Sequence, residues 1–399
     1  MNFMRGIKAA LFSCAALGAL TAVASAEDAA NWGSFPGYTL KVKLVGGTQY
    51  EKLYTRIPEW EKATGAKVEI VSSKNHFELD REIKQDIASG TITWCVGSNH
   101  TSFAPQYGDL YVDLKTLIPQ ATLDEYVPGT LAASMVDGRL VQLPRVTDVS
   151  NLYGTAFAGK DEGMTGRFME IVRANGGDMF DENWKPIFNS QAGVDALQWF
   201  IDIYNAKAVP AGTVNYTWDD IGQAFAAGTL AVDLDWPGFA AFYNDPAKSK
   251  VAGKVGFALS PVGTAGKRGG WSGSHSFSIT QACDNKEAAA SLITFLTDYD
   301  SEMLEARAGN LPTRTKAFTD VVEEFKKGDT PYMAEMFAVW EKSLAEARTP
   351  PLIPQWIEVS NVIWPELQAA IVGQKTAQEA LDTAAKKATQ IMEDAGVLQ

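Results

Sequence analysis

Cysteine and histidine are scarce in this sequence, with three of each among 399 residues. The histidines His76, His100 and His275 fall in no H-E-x-x-H or C-x-x-C context, so the spacing typical of protein metal sites is missing. We therefore expect neither a metal site nor a cofactor. Cys95 and Cys283 are far apart in sequence and do not suggest a disulfide framework. We expect two buried thiols there, with a single bridge as the alternative in an oxidising compartment.

Positive charge is also in short supply, because 35 Lys+Arg face 48 Asp+Glu and the formal net charge is −13. Nucleic acids and anionic membrane surfaces are bound mainly through Lys and Arg, so this balance argues against both as partners. Apolar residues make up 46% of the chain and charged residues 21%, which excludes a disordered chain. A chain of this length is expected to form two or more domains.

Long hydrophobic runs are missing beyond the N-terminus. There, Arg5 and Lys8 precede the apolar run Ala9–Val23, and three small residues ending at Ala26 follow it. This order is typical of a secretory signal peptide, which we predict to span residues 1–26 with cleavage after Ala26. The mature protein is therefore expected to be soluble in the periplasm. A lipoprotein acylated at Cys14 is the alternative for this segment.

Strand and helix patterns alternate over residues 40–143 and continue in the second half. The expected early elements are a strand at Leu40–Val45, a helix through Leu53, Ile57 and Trp60 with a kink at Pro58, a strand at Val68–Val71, a helix through Leu79, Ile83 and Ile87, and a strand at Ile92–Val96. The expected later elements are a helix after Asn189 and Ser190, a strand at Thr229–Asp235, a helix at Glu287–Leu296 and a last helix capped by Thr376 and Glu379. Such alternation predicts an α/β fold with a mostly parallel sheet. Without an obvious linker, we expect two lobes that exchange strands.

Candidate catalytic groups are few. Ser272 or Ser274 beside His275 lacks the G-x-S-x-G spacing and an orienting acid, so a hydrolase is not indicated. Asp233 and Asp235 would share one face of a strand about 7 Å apart, within the range for two working carboxylates of a glycosidase. A secreted carbohydrate-active enzyme that uses these two residues is therefore an alternative reading.

Several of the eleven tryptophans stand at the ends of predicted elements. Trp236 follows a strand, Trp271 follows a turn that contains Gly270, and Trp356 follows a turn that contains a proline. A tryptophan in mid-helix is most simply a core residue, whereas one at a strand or loop end is well placed to meet a ligand. Because the C–H faces of sugars pack flat on indole rings, we expect Trp236, Trp271 and Trp356 near a sugar, with Gly270 beside them.

Short motifs follow one another along nearly the whole mature chain. They are Asp137–Pro144, Phe188–Ser190, Ala224–Gly228, Asp233–Gly238, Gly253–Phe257, Leu311–Arg314, Ile353–Gln355 and Gly373–Thr376. Together they resemble the extracellular solute-binding proteins of carbohydrate ABC importers, the maltose-binding-protein-like family. The resemblance implies a type II periplasmic binding protein with two α/β lobes, crossing hinge strands and a cleft between the lobes. It implies an N-terminal lobe of residues 27–146 and 264–318, and a C-terminal lobe of residues 147–263 and 319–399.

The resemblance also implies ligand-binding residues. The family's first and third strand loops and its hinge acid fall on Thr48, Gln49, Asn99, His100, Ser102 and Asp148. One stacking tryptophan falls on Trp236, and Trp356 is expected to replace a second one whose position holds Ser360. The family's charged pair after the third strand is missing, so we expect a different hydroxyl pattern in the ligand. Should the ligand be anionic, the candidate partners are Arg145, Lys160 and Arg314.

One departure concerns Tyr153, which runs directly into Gly154 where family members continue through a loop and a helix. The second lobe is therefore expected to lack a helical layer. The resemblance as a whole implies a monomeric periplasmic receptor for a sugar or polyol. Such a receptor closes about its hinge and delivers the ligand to the transmembrane subunits of an ABC permease, without enzymatic turnover. A poorly binding relic of the family is the remaining alternative.

Overall fold

The computed structural model describes residues 32–47, 49–151, 157–233, 236–328 and 330–398. The expected signal peptide, Thr48, the junction after Tyr153 and Asp235 lie outside the described residues. From Trp32 onward the chain forms one compact unit. Within the described ranges, no helix has both the length and the apolar character needed to cross a membrane.

The strands of the described chain form a seven-stranded sheet and a small hairpin. They are β1 (Thr39–Val45), β2 (Lys67–Lys74), β3 (Val96–His100), β4 (Met135–Val136), β5 (Arg139–Leu140), β6 (Leu143–Asn151), β7 (Gly270–Ile279), β8 (Leu311–Pro312) and β9 (Ala347–Arg348). The large sheet has the order β2-β1-β3-β7-β6-β8, and β9 pairs with β7. Strand β1 is parallel to β2 and β3, whereas β7 is antiparallel to β3 and β6.

Helices connect and cover these strands. They are α1 (Glu51–Tyr54), α2 (Ile57–Thr64), α3 (His76–Ser89), α4 (Gln120–Leu123), α5 (Pro128–Ala132), α6 (Asp161–Ala174), α7 (Gln191–Asn205), α8 (Trp218–Ala226), α9 (Ala240–Tyr243), α10 (Lys286–Phe295), α11 (Tyr299–Ala306), α12 (Thr315–Lys327), α13 (Pro331–Glu346), α14 (Trp356–Ile371) and α15 (Ala377–Asp394). The predicted capping box of Thr376 and Glu379 is present before α15. The side chain of Asn75 caps α3 by accepting the backbone N–H of Glu78.

Strands β1–β3 and β7, with helices α2 and α10, share one hydrophobic core and are called the sheet region here. The predicted alternation of strands and helices is confirmed there, since Leu40, Val42 and Leu44 of β1 are buried. Two details differ. Instead of one kinked helix there are two, since α1 ends before α2 begins. Pro58 lies in the first turn of α2, where backbone N–H groups make no hydrogen bond within the helix, so the missing N–H of proline costs nothing there.

Strand β3 also begins later than predicted, at Val96, and runs through His100. Its backbone pairs with β7, so that His100 lies opposite His275. Asn99 and His100 therefore belong to the strand itself and not to a loop after it. This pairing fixes which face of the sheet each side chain occupies.

Helices α6, α7, α14 and α15 pack together into a second core and are called the helical region. Nearly every residue of α6 is buried, which makes α6 the centre of this region. The strand predicted at Thr229–Asp235 is wrong over its described part, because residues 229–233 form no strand. A strand needs a neighbour with free backbone groups. Within the described part of the chain, no strand pairs with residues 229–233.

Strands β6 and β7 pair along most of their lengths and run from one core to the other. At the start of β7, Trp271 belongs to the core of the helical region, whereas Phe277 belongs to that of the sheet region. Asp148 of β6 pairs with Gly273 of β7. These strands thus occupy the place that the resemblance assigns to hinge strands.

Cys95 and Cys283 form a disulfide with an S–S distance of 2.13 Å. The expectation of two unpaired thiols is therefore wrong. Cys95 directly precedes β3, and Cys283 follows β7, the neighbour of β3 in the sheet. The order of strands brings together two residues that are 188 positions apart.

Candidate functional site

A cleft of about 290 Å³ lies at the ends of β1 and β3, beside β7. Helices α3, α6 and α8 all begin at its edge, since residues of their first turns line it. The floor and one wall belong to β3, β7, α3 and the turn between β1 and α1, and they include Gln49, Tyr50, His76, Arg81, His100 and His275. The facing wall includes Lys160, Asp161, Glu162, Trp218, Asp219 and Trp236, with Trp271 of β7 beside it.

All three histidines of the chain meet on the floor of the cleft. The ring centroids of His100 and His275 are 4.9 Å apart, and that of His76 lies 6.0 and 5.6 Å from them. Burial lowers the pKa of His76 to about 4 and that of His100 to about 3. Burial also holds the pKa of His275 well below its ordinary value. All three rings are therefore neutral near pH 7.

Hydrogen bonds orient two of these rings. His100 Nδ1 accepts the backbone N–H of Ser102 at 3.2 Å and lies 2.9 Å from the Ser102 hydroxyl. His275 Nε2 lies 2.7 Å from the hydroxyl of Tyr50. The ring of His100 also needs Gly273, because a Cβ at that position would stand 2.5 Å from His100 Nε2.

The nitrogen atoms of the three histidines do not converge on a point that could hold an ion. Within the described part of the chain, the one group of candidate metal ligands close enough to do so is Cys95, Cys283 and Asp284. Its two sulfur atoms are bonded to each other. The floor of the cleft is thus a surface of neutral rings.

Three tryptophans form the aromatic part of the facing wall. The ring of Trp236 meets those of Trp218 and Trp271 edge to face, at centroid distances of 5.4 and 5.2 Å. Trp218 and Trp271 are buried, whereas Trp236 is only half-buried and is the most open to the cleft. Trp271 packs directly on the backbone of α6, since a Cβ at Gly166 would stand 2.1 Å from its ring.

A buried ion pair supports this aromatic wall from behind. Arg167 Nη1 donates to Glu170 Oε2 at 3.0 Å, and both side chains are fully buried. Glu170 Oε1 accepts the backbone N–H of Trp271 at 3.1 Å. The guanidinium carbon of Arg167 lies 4.5 Å from the ring centroid of Trp218. The pair therefore positions two of the three tryptophans.

Carboxylates from the first turns of α6 and α8 complete the facing wall. Burial raises the pKa of Glu162 to about 7, and the indole N–H of Trp356 donates to its Oε1 at 2.6 Å. Burial, followed by the nearby charge of Asp220, raises the pKa of Asp219. Asp161 has φ = 56°, a left-handed conformation that is uncommon for residues other than glycine. Backbone strain of this kind is often found at functional sites.

Four of the predicted site residues line the cleft, namely Gln49, His100, Trp236 and Trp271. Two more lie just behind it and hold His100. The backbone N–H of His100 donates to Asn99 Oδ1 at 2.8 Å, and Ser102 bonds to its ring. Asn99 and Ser102 are therefore placed to position His100.

Three predicted residues lie away from the cleft. Trp356 is fully buried in the core of the helical region, where its ring cannot stack on a ligand. The guanidinium carbon of Arg314 lies 4.6 Å from the ring of Tyr126, and the side chain pairs with Glu125. Gly270 begins β7 and pairs with other strands. The expected ligand contacts of these three residues have no support in their positions.

Two further predicted residues fall outside what the structure describes. Thr48 is not among the described residues, and of Asp148 only the backbone pairing is described. Of the three basic candidates, Lys160 alone lines the cleft. Arg145 is buried in an ion pair with Glu305, with N–O distances of 2.6 and 2.8 Å. A basic pocket is thus not assembled from these residues.

Of the pair proposed for the glycosidase alternative, only Asp233 is described, and it does not line the cleft. Asp233 accepts a hydrogen bond from the Tyr243 hydroxyl and lines a second cavity of about 550 Å³ on the far side of Trp236. Asp235 lies outside the described residues.

The cleft itself can hold a small polar molecule through ring contacts, N–H donors and carboxylate acceptors.

Sequence reasoning missed most of the residues that line the cleft, and four aromatic ones among them are Tyr50, His76, Trp218 and His275. Helix-start signals could have found two of them. The cap Asn75 places His76, and the capping box of Thr217 and Asp220 places Trp218, in the first turns of helices that begin at the cleft. No comparable signal marks Tyr50 or His275, whose places follow from strand order.

Comparisons with known proteins agree with this architecture. A family model described as bacterial extracellular solute-binding protein matches residues 45–303. The probable amino-acid ABC transporter periplasmic-binding protein y4oP of Sinorhizobium fredii is 24% identical over 448 residues, covering 100% of this chain and 99% of that protein. The predicted shortening after Tyr153 lies outside the described residues and stays a prediction.

Solved structures show the same fold. The maltose-bound MalE3 of T. maritima has a TM-score of 0.78 and 25% sequence identity, with 89% of this chain and 100% of that chain covered. An ABC transporter solute-binding protein of Agrobacterium vitis S4 with bound D-mannitol has a TM-score of 0.76 and 22% identity, with 90% and 99% covered. The predicted two-lobed α/β fold is therefore confirmed.

Proposed function

The chain belongs to the bacterial extracellular solute-binding protein family, and we propose that it is a periplasmic receptor for a small sugar or polyol that serves an ABC permease. The family is one of binding proteins and not of enzymes, which contradicts the glycosidase alternative. The predicted lobes, residues 27–146 with 264–318 and residues 147–263 with 319–399, are part of this proposal. So is a monomeric state.

The observation that carries the proposal is the half-buried face of Trp236 above a floor of neutral rings. A flat aromatic face suits the C–H side of a sugar. The cleft volume of about 290 Å³ is at the lower end of the range for small-molecule sites, roughly 300–1,000 Å³. This size favours a monosaccharide or a polyol over a long oligosaccharide.

The charges around the cleft favour a neutral ligand. Its lining carries the carboxyl groups of Glu78, Asp161, Glu162 and Asp219 but only two permanent cations, Arg81 and Lys160. Carboxylates accept hydrogen bonds from hydroxyl groups, and charged donors and acceptors make the stronger bonds. An anionic sugar would face more negative than positive groups, whereas a polyol can satisfy both.

Closure of the cleft supplies the proposed mechanism. The ligand first binds one wall, the lobes rotate about the crossing strands β6 and β7, and water leaves the cleft. Each hydrogen bond to the ligand then lies in a medium of lower dielectric constant and is stronger. The permease recognises the closed arrangement, which only a bound ligand stabilises.

A thermal-shift and calorimetry panel tests the proposal. We expect the melting temperature to rise with at least one of ribitol, D-mannitol, D-tagatose and maltose, without turnover of the compound. At a ligand concentration of 100 times Kd the stabilisation should be about 2.7 kcal/mol. Leucine and glutamate serve as contrasting ligands, because one relative is named an amino-acid binder. A response to amino acids alone would contradict the proposal.

The variant Trp236→Ala tests the aromatic contact. We expect it to weaken binding of the panel's best ligand by about 1–2 kcal/mol, because it removes stacking and apolar contact. Trp184→Ala is the matched control, since Trp184 is exposed and does not line the cleft. Equal calorimetric affinities of the two variants would remove Trp236 from the site.

A further inference from the structure

The indole N–H of Trp271 has no hydrogen-bond partner among the described residues, although Trp271 is only 2% exposed. Buried indole N–H groups usually find an acceptor. Trp271 lines the cleft, so a molecule in the cleft is the natural source of one. The backbone of Trp271 is held in place independently, through its N–H bond to Glu170.

The packing of Trp271 shows which edge of its ring lies against α6. The atoms nearest to Gly166 are Cε3, Cζ3 and Cη2, all on the six-membered ring. The six-membered edge therefore faces α6, and the nitrogen lies on the opposite edge. Neighbouring tryptophans meet the ring of Trp271 at 56° and 78°, so its faces are partly covered. Trp271 is thus better placed to donate a hydrogen bond than to stack.

His100 presents a second N–H donor. Its Nδ1 accepts the backbone N–H of Ser102, so in the neutral ring the proton is on Nε2. That Nε2 lies above Gly273, which lacks a side chain to cover it. Among the described residues, the hydrogen bonds of the His100 ring are both made by Nδ1, and none is made by Nε2.

The two donors follow each other along one strand. Residues 271, 273 and 275 of β7 point to the same face because side chains alternate. His100 shares that face, since it lies opposite His275 and its ring covers Gly273. Positions 271 and 273 are about 7 Å apart along the strand. A single small ligand can therefore reach both N–H groups.

We infer that Trp271 Nε1–H and His100 Nε2–H form a donor pair that binds two oxygen atoms along one edge of the ligand. The inference rests on the proposed function and deepens it. Trp236 supplies the flat contact, whereas Trp271 and His100 select polyhydroxylated molecules with acceptor oxygens on that edge. A deoxy analogue that lacks either oxygen is rejected.

Nuclear magnetic resonance of the 15N-labelled protein tests the pair directly. The protein is titrated with D-mannitol, ribitol and D-tagatose while the indole N–H signals are followed. On binding, the signal of Trp271 should move downfield and its hydrogen exchange should slow. Trp364 is the internal control, because its indole nitrogen is likewise buried and unpartnered among the described residues but does not line the cleft.

Matched variants extend the test. Trp271→Phe should lower affinity about five- to tenfold, whereas Trp364→Phe should leave it unchanged. His100→Gln, which keeps an N–H donor near the same place, should bind within about threefold of the unsubstituted protein, and His100→Leu should lose about five- to tenfold. Should Trp271→Phe fail to fold, the signals of the unsubstituted protein decide the question.

The outcomes separate this inference from the proposed function. When a polyol or sugar binds but the Trp271 signal neither moves nor gains protection, the donor pair is wrong and the receptor function stands. When His100→Leu binds as well as His100→Gln, His100 is not a donor. When no compound of the panel binds, the receptor function fails and the donor pair fails with it.

Discussion

The floor of the cleft and its facing wall hold their side chains by different means. On the floor, His100 and His275 are fixed by backbone pairing of β3 with β7, and each ring has an additional hydrogen bond. In the facing wall, Trp271 depends on close packing against Gly166 and on the buried carboxylate of Glu170. The histidine rings of the floor are thus held by strand pairing and hydrogen bonds, whereas the ring of Trp271, whose backbone is also part of β7, is held by a few contacts with α6. Single substitutions should therefore damage the wall more.

The largest effect is expected from Glu170→Ala. It removes a fully buried carboxylate and leaves Arg167 buried without it, which should lower the free energy of unfolding by about 3–5 kcal/mol. Glu323→Ala, which removes an exposed partner of Lys326, is the control and should leave the free energy of unfolding almost unchanged, because exposed ion pairs contribute little. Urea unfolding measures both. Similar losses in the two variants would show that the wall does not depend on the buried pair.

The second largest effect is expected on the pH dependence of stability, through His100 on the floor of the cleft. Histidine has an ordinary pKa of 6.5, and burial lowers that of His100 to about 3. Between these values the unfolded chain binds more protons, so stability must fall as the pH falls below 6.5. In His100→Gln, the loss of unfolding free energy between pH 7 and pH 4 should be smaller by at least about 1.4 kcal/mol, the equivalent of one pKa unit. Urea unfolding from pH 7 to pH 4 measures the difference, and parallel curves for the two proteins would contradict it.

The wall should show the opposite dependence through Glu162. Its pKa is raised from 4.5 to about 7, so the folded state binds more protons between these values. The contribution of Glu162 is therefore complete below pH 4.5 and is lost as the pH rises through 7. Glu162→Gln should remove this loss. On going to pH 8, its free energy of unfolding should therefore rise relative to that of the unsubstituted protein by about 1 kcal/mol or more. A difference from the unsubstituted protein that does not grow with pH would contradict the assignment.

The smallest effect is expected from Asp161→Gly. Glycine adopts the left-handed conformation of Asp161, with φ = 56°, without steric cost. Part of that gain is offset by the greater freedom of glycine in the unfolded chain, so stability should rise by less than about 1 kcal/mol. Lys207→Gly is the control, since Lys207 has φ = 54° away from the cleft. Of these two variants, only Asp161→Gly should also weaken ligand binding. Equal ligand affinities of Asp161→Gly and Lys207→Gly would show that Asp161 is not part of the site.

Local patterns in the sequence predicted much of the sheet region and part of the site. The apolar alternation of β1 and the capping box of α15 depend on neighbouring residues, and both are confirmed. Trp236 was predicted from its place at the end of an expected strand, whereas Gln49 was implied only by the family resemblance. His76 was missed because the Asn75 cap at the start of α3 was not recognised, and His275 was missed because only the pairing of β3 with β7 brings it to His100. The strand expected at residues 229–233 failed for the same reason, since strand formation depends on a distant partner.

The bridge between Cys95 and Cys283 also bears on how the protein is made. In an exported chain the two sulfur atoms can meet only after both cysteines, which are 188 positions apart, have entered an oxidising compartment. The state of the bridge therefore reports on completed export, and molecules caught in a reducing cytoplasm should contain free thiols. Thiol labelling of cell fractions would thus distinguish delivered protein from retained precursor without a ligand or a partner protein.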